Sequence, residues 1–297
     1  MTRTYLLALL LAFSFFSCKK DEETPEPSIT PEETGPKLIF KFRFDPNQER
    51  LNNLGMPAAI PDGHAAQSPD FHAISAHYIE MTNGPLVQLG AGEVLYMAPE
   101  TTAGGANAID FNQSIIKGQD EVFFEVPLSQ VTPDTYEWIR VSLAYQNYDI
   151  DFTYSTFNLT GTIASFVGFN TYIEDYTINT QSIAVNENRL QGYWGLEVAS
   201  PLGVETFSGQ APPGATTVPN PLSSTSPIPA GSCVVTGDFE QPLVITGNET
   251  EDIVVYLSLS TNNSFEWVDN NGNGLYEPET EQVVDMGLRG IIPMVGN

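Results

Sequence analysis

Oxygen-bearing side chains recur at alternate positions in one C-terminal stretch: Asp269, Asn271 and Asn273, then the carbonyl of Leu275, then Glu277, with Glu281 a little further on. Carboxylates, amides and carbonyls are hard ligands, and such a series folded around a sharp turn at Gly274 is the donor set that a calcium ion takes. An Asn-Gly turn without an ion draws on the same residue types, because both tolerate positive φ. Apolar, strand-like residues flank the stretch, with Phe265 and Trp267 before it and Val283 and Val284 after it. The expected object is therefore a hairpin that an ion locks.

The donor order resembles the first nine positions of an EF-hand-like loop, and more closely the shorter D-x-N-x-N-G-x-x-E loops of extracellular β proteins. Thr280 stands where the bidentate Glu of position twelve belongs, with Glu279 and Glu281 on either side and Asp285 beyond. Loops of this extracellular kind bind calcium at about 10⁻⁴ to 10⁻³ M, which implies a structural ion.

Two other groups of residues could carry function. In Gln191–Glu197 (QGYWGLE), Tyr193 and Trp194 beside glycines suit stacking on a sugar ring or flat ligand, with Glu197 alongside. Core burial is the alternative use of such aromatics. Asp149 and Asp151 share a strand face, and with Glu197 they resemble a glycosidase carboxylate set, whose spacing the sequence does not give. The three histidines, His64, His72 and His77, are the copper-type ligands of the chain. His72 and His77 are five residues apart, which neither the strand nor the helix period brings to one face. No G-x-S-x-G, P-loop or His-Glu-x-x-His pattern occurs, so no catalytic residue is assigned and a non-enzymatic role is expected.

The elements that must position these residues are strands. From Leu38 to Phe44 the even positions are apolar and the charged ones fall between them. Further strands are expected at Phe71–Met81, Val94–Met97, Val122–Val126, Trp138–Tyr145, Ile150–Tyr154, Thr160–Phe169, Ile178–Val185 and Trp194–Val198, and later at Cys233–Val235, Leu243–Ile245 and Ile253–Leu259. The apolar parity inverts between Ile139/Val141/Leu143 and Ile150/Phe152/Tyr154, which reads as a hairpin turning at Asn147-Tyr148. Gln48 to Gln67 reads as a long loop, and 208–231, with its six prolines, as another. The fold class is all-β, an antiparallel sandwich of jelly-roll or Ig-like kind with long loops, in one domain over 37–297.

The address lies at the N-terminus. Arg3, the apolar run Leu6–Phe16 and Ser17-Cys18 form a secretory signal over 1–17, too short to span a bilayer. Residues 18–36 are charged and proline-rich and read as a flexible tether. The 37 acidic against 11 basic residues, a net charge of -26, exclude nucleic acid as partner. Cys233, flanked by Val234 and Val235, has no disulfide partner once Cys18 is used, and reads as a buried core thiol.

The Ser17-Cys18 junction resembles a bacterial lipoprotein signal, which implies acylation of Cys18 and a lipid anchor in the outer membrane. Lys19-Lys20-Asp21-Glu22-Glu23 resembles the tag that sends Bacteroidota lipoproteins to the cell surface, the periplasmic face being the alternative. With SPIPAGSCVVTG, QGYWGLE and SFEWVDNNGNG followed by DMGLRG, the mature chain resembles a group of Bacteroidota lipoproteins. HYIEM, the Thr135-Tyr136-Glu137-Trp138 run and the later Gly-Tyr-Trp resemble MbnP-like copper-associated proteins. That second resemblance implies a β-sandwich binding copper, with Trp194 and the histidines as candidates. The expected function is a surface binding or envelope-interaction module with a structural calcium hairpin. Copper binding and carbohydrate binding are the alternatives, and a glycan or an envelope protein is the expected partner.

Overall fold

The computed structural model describes residues 35–52, 55–201, 203–211, 229 and 231–296. The signal, Cys18, the tether up to 34, and residues 212–228 and 230 of the proline-rich stretch lie outside the described residues.

Side-chain alternation writes the strands. Lys37–Asp45 (β1) buries Leu38, Phe40 and Phe42 completely and leaves the intervening positions partly open, each buried ring or leucine contributing about 1.5–3 kcal/mol. His64–Gln67 (β2), Asp70–Thr82 (β3), Glu93–Met97 (β4), Glu100–Thr101 (β5), Ala108–Asp110 (β6) and Val122–Pro127 (β7) follow. The middle of the chain supplies Asp134–Tyr154 (β8), Phe157–Phe166 (β9), Asn170–Thr177 (β10), Ser182–Leu190 (β11), Tyr193–Ser200 (β12) and Gly203–Gln210 (β13). Cys233–Ile245 (β14), Ile253–Ser260 (β15), Phe265–Val268 (β16), Val283–Met286 (β17) and Ile291–Gly296 (β18) complete it.

A seven-stranded sheet is the middle layer, ordered β13-β12-β9-β8-β3-β4, with β14 pairing along the first half of β8. On one face it packs against the sheet β18-β15-β1-β7 through a core that includes Phe40, Leu257, Ile79 and Val141. On the other face Tyr145, Phe166 and Tyr193 meet Ile173 and Tyr176 of the sheet β11-β10-β6-β5. A small sheet, β17-β16-β2, carries the C-terminal hairpin. The arrangement is the all-β sandwich expected, with two departures from pure antiparallel pairing. β1 runs parallel to β15, and β10 parallel to β6.

The expected hairpin at Asn147-Tyr148 is absent. β8 is one strand of 21 residues, and the turn comes later, where Tyr154 faces Phe157. The inverted parity has a different cause: Ala76 pairs with Leu143 and Ser75 with Tyr145, so Ala144 is an extra residue in the ladder. A bulge of this kind swaps the faces of everything that follows it. Other boundaries differ as well. The 48–67 loop ends in β2, the strand expected from Ile178 begins at Ser182, and residues 208–210 belong to β13 instead of to a loop. Ile178 instead closes a turn, its N–H donating to the carbonyl of Gln181.

Candidate functional site

Alternation along β12 divides the aromatic cluster between two environments. Tyr193, Gly195 and Glu197 face the β10–β11 layer, and Trp194 and Leu196 face the other way. On the first face Tyr193 is 4% exposed, its hydroxyl 3.5 Å from that of Tyr176 and its ring 4.6 Å beneath the Arg189 guanidinium. A Cβ on Gly195 would meet the Tyr176 hydroxyl at 2.4 Å, so only glycine lets that ring lie flat on the strand. Glu197 accepts hydrogen bonds from the backbone N–H of Asn179, Thr180 and Gln181, at 3.0, 2.9 and 2.9 Å, and from the Thr180 hydroxyl at 2.5 Å. Burial raises its pKa, but these donors outweigh burial and hold the carboxyl below its ordinary range. Tyr193 and Glu197 are thus buried and engaged inside the fold, on the face of β12 turned away from Trp194.

Asp149, Thr162 and Glu197 form a row across β8, β9 and β12. The two carboxyl-bearing residues are thus two strand spacings apart, roughly 10 Å at the backbone. Asp149 is engaged by the Thr162 hydroxyl at 2.6 Å and by His72, and Asp151 by the Thr160 hydroxyl at 2.7 Å. The carboxylates do not converge as a glycosidase pair.

Among the described residues, the opposite face of β12 is only partly covered. Trp194 and Leu196, with Ile163 of β9 and Ile150 and Phe152 of β8, form the floor of a groove of about 590 Å³. Phe265, Tyr276, Val283 and Met286 of the C-terminal hairpin form its wall, and Gln210, Ala211 and Gln282 are the polar and small residues beside them. The Trp194 indole lies over Gly209 of β13, where a Cβ would come within 2.8 Å of the ring. A second cavity of about 400 Å³ shares Phe152 and Tyr276 and extends past Asp151 to Gly274 and Leu275.

The sequence-predicted metal loop holds the wall in place. The Thr153 N–H donates to the Tyr276 carbonyl at 2.7 Å, the Ser155 N–H to the Glu279 carboxylate at 3.1 Å, and the Tyr148 hydroxyl to the Met286 carbonyl at 2.9 Å. Within the loop, the Asp269 carboxylate accepts from the N–H groups of Gly272, Asn273 and Gly274 at 2.8, 3.2 and 2.9 Å. Desolvation raises the Asp269 pKa, and the backbone donors of 271–274 lower it by more, so its carboxyl titrates below the ordinary range. Gly272 and Gly274 both take positive φ, 73° and 72°, as a loop wound this tightly requires. The Asn271 and Asn273 amides donate to Glu277 at 2.6 and 3.2 Å, so these three side chains converge. Glu281 sits elsewhere: it accepts from the N–H groups of Asn270 and Glu277 at 3.2 and 2.9 Å and closes the hairpin instead of joining the donor set. Among the described residues, no group of three or more His, Cys, Asp or Glu side chains is placed to hold an ion. The loop's donors are a mixture of one Asp, two Asn and one Glu.

The histidines are distributed among three carboxylates. His64 lies 2.6 Å from Glu266, His72 lies 3.3 Å from Asp149, and His77 lies 2.9 Å from Glu100. Glu266 is buried and also meets Arg50 and Arg289, so His64 is part of the ion cluster that joins β2 to β16. Burial of the Glu266 carboxyl raises its pKa, and His64 and the two arginines bring it below its ordinary value. His77 is fully buried, and that burial lowers its pKa despite the Glu100 contact. Cys233 is partly buried against the main core instead of fully inside it, and burial with the Asp285 carboxylate pushes its thiol up to about 12.

Comparison with protein-family models, with curated proteins and with solved structures returned no match. Sequence reasoning picked out Trp194 and the hairpin but missed that they share a groove. Ile150, Phe152 and Tyr276 were its unrecognised members. The signal for the first two was present, since Tyr148, Ile150 and Phe152 put three large apolar side chains on one strand face.

Proposed function

We propose that this chain is a non-enzymatic envelope lipoprotein that binds an apolar ligand in the groove between β8–β9–β12 and the C-terminal hairpin. The groove itself carries this reading. Its volume of about 590 Å³ lies within the range of small-molecule sites, roughly 300–1,000 Å³. Its lining is almost wholly aliphatic and aromatic. Among the described lining residues the only titratable one is Tyr276, whose hydroxyl burial pushes up to about 12, so the lining supplies no acid, base or nucleophile poised for neutral pH. Titrating the full-length protein with N-phenyl-1-naphthylamine, an uncharged apolar fluorophore, should give saturable binding that Trp194→Ala abolishes. Binding unchanged by that substitution would overturn the proposal.

The loop at Asp269–Glu277 is the proposed calcium site. Asp269, Asn271, Asn273 and Glu277 supply hard oxygens on a turn already wound by Asp269's own hydrogen bonds, and the Leu275 carbonyl follows in order. A bound cation would replace the two amide N–H groups as the counter-charge of Glu277. Its effect would be structural, because the loop holds the groove's wall. Calorimetric titration to millimolar calcium should show heat that Asp269→Ala removes, and no heat in the parent protein would eliminate the site.

Anchoring through Cys18 and display at the cell surface complete the reading. Protease treatment of intact cells should remove the protein from the outer membrane, and full protection would assign it to the periplasmic face. The aromatic ring of Trp194 near the amides of Gln210 and Gln282 supports a sugar as second reading. Glycan-array binding that depends on Trp194 would favour it over the apolar ligand.

A further inference from the structure

Strand edges expose unpaired N–H and C=O groups, and proteins keep them from pairing with other chains by shortness, proline, bulges or charge. Most edges of this fold show such devices. β18 carries Pro293, β7 carries Pro127, and β14 carries Pro242 with a register shift. β11 has a register shift and the Glu187–Arg189 ion pair, β4 is five residues long, and β2, β5 and β17 are shorter still. β13 is the exception. It pairs with β12 without a break over its eight residues and ends the middle sheet on its other side. It has no proline and one charge, Glu205. Among the described residues, the backbone groups of 204–209 make no hydrogen bond beyond β12.

Register places the side chains of this edge. Glu205, Phe207 and Gly209 stand across from Val198, Leu196 and Trp194 and share one side, while Val204, Thr206 and Ser208 share the other. Phe207 is 49% and Val204 47% exposed, so apolar surface flanks the unpaired backbone on both sides. Gly209 adds no side chain, and the Trp194 indole lies over it, so the ring extends onto the edge strand. A strand added here would lie about 4.8 Å further out. On the side of Trp194 its alternate residues would meet Glu205, then Phe207, then the indole, which asks for a cation, an apolar residue and a large apolar residue at steps of two. A second copy of the chain fits less well, because each carries a net charge of -26 and β13 holds no basic residue to answer Glu205. We propose that β13 takes up an extended, basic and apolar segment of a partner protein as an added strand. The proposal does not depend on the groove's own ligand.

The test adds two acetylated heptapeptides to the full-length protein, TKTVTFT and its reverse TFTVTKT, which offer that pattern in either strand direction. Hydrogen exchange in the free protein should be fast at the outward amides of 204–209, and saturating peptide should slow it. Calorimetry should show saturable binding of at least one peptide. Glu205→Lys, at an exposed position, should melt like the parent and bind that peptide about ten-fold more weakly, an exposed ion pair having become a repulsion. The same variant should prefer the peptide with glutamate in place of lysine. Slow exchange of those amides in the free monomer would overturn the proposal, because the edge would already be covered. Slowing that follows protein concentration, with dimers in sedimentation, would overturn it in favour of a second copy. Failure of both peptides to bind would also overturn it, as would binding that leaves the β13 amides unprotected or that Glu205→Lys does not weaken.

Discussion

β12 has two faces with similar residues and opposite fates. Tyr193, Gly195 and Glu197 are locked against β10–β11, while Trp194 and Leu196 look into a groove of about 590 Å³. The difference comes from what the neighbouring layer brings. On the closed face the 179–181 turn delivers three N–H groups and a hydroxyl to one carboxylate, and Tyr176 fills the space that Gly195 leaves. On the open face the neighbour is a hairpin, tied down at a few points along β8, that does not reach the sheet everywhere. Residue type alone does not separate a core aromatic from one that lines a groove; the packing of the next layer does.

Substitutions on the two faces should therefore report different quantities. The largest loss of stability is expected for Glu197→Gln, about 3 kcal/mol by chemical denaturation, since hydrogen bonds to a buried charge are worth about 1.5–3 kcal/mol. The effect has a defined pH window. Because the carboxyl's pKa is held below its ordinary value of 4.5, its contribution is complete above that pH. It fades as pH falls through the lowered value, so parent and variant should converge in acid. Gly195→Ala should cost about 2 kcal/mol, as overpacking against a ring with nowhere to go.

On the open face the effects are smaller and move to binding. Calcium at about ten times its dissociation constant should stabilise the parent by about 1.4 kcal/mol and Asp269→Ala not at all, as read from thermal unfolding. Gly209→Ala presses on the Trp194 ring at 2.8 Å just as Gly195→Ala presses on Tyr176. The indole, however, has the groove to swing into, so the cost should stay below about 1 kcal/mol and appear as a shift in tryptophan emission. Equal costs at the two glycines would show that the groove is closed in solution.

Much of the fold is legible in the sequence. β1 is legible because Leu38, Phe40 and Phe42 alternate with charged residues, and the C-terminal hairpin because Phe265 and Trp267 mirror Val283 across a turn of Asn and Gly. The parity inversion in β8 is also visible, but its cause is not. A turn and a bulge leave the same trace in a one-dimensional pattern, and only the pairing of Ala76 with Leu143 distinguishes them. The groove was out of reach for another reason: its floor comes from 150–163 and 194–196 and its wall from 265–286, brought together by long-range packing.

The parallel pairing of β1 with β15 has a mechanical meaning. Lys37 is where any pull from the N-terminal side enters the fold, and it opens a strand flanked by β15 on one side and β7 on the other. A load along that strand would stress both ladders in shear, with their hydrogen bonds sharing the force together. Peeling, in which bonds break one after another, would need the load to come across the strand. A pull entering at Lys37 along β1 is thus resisted by two ladders at once.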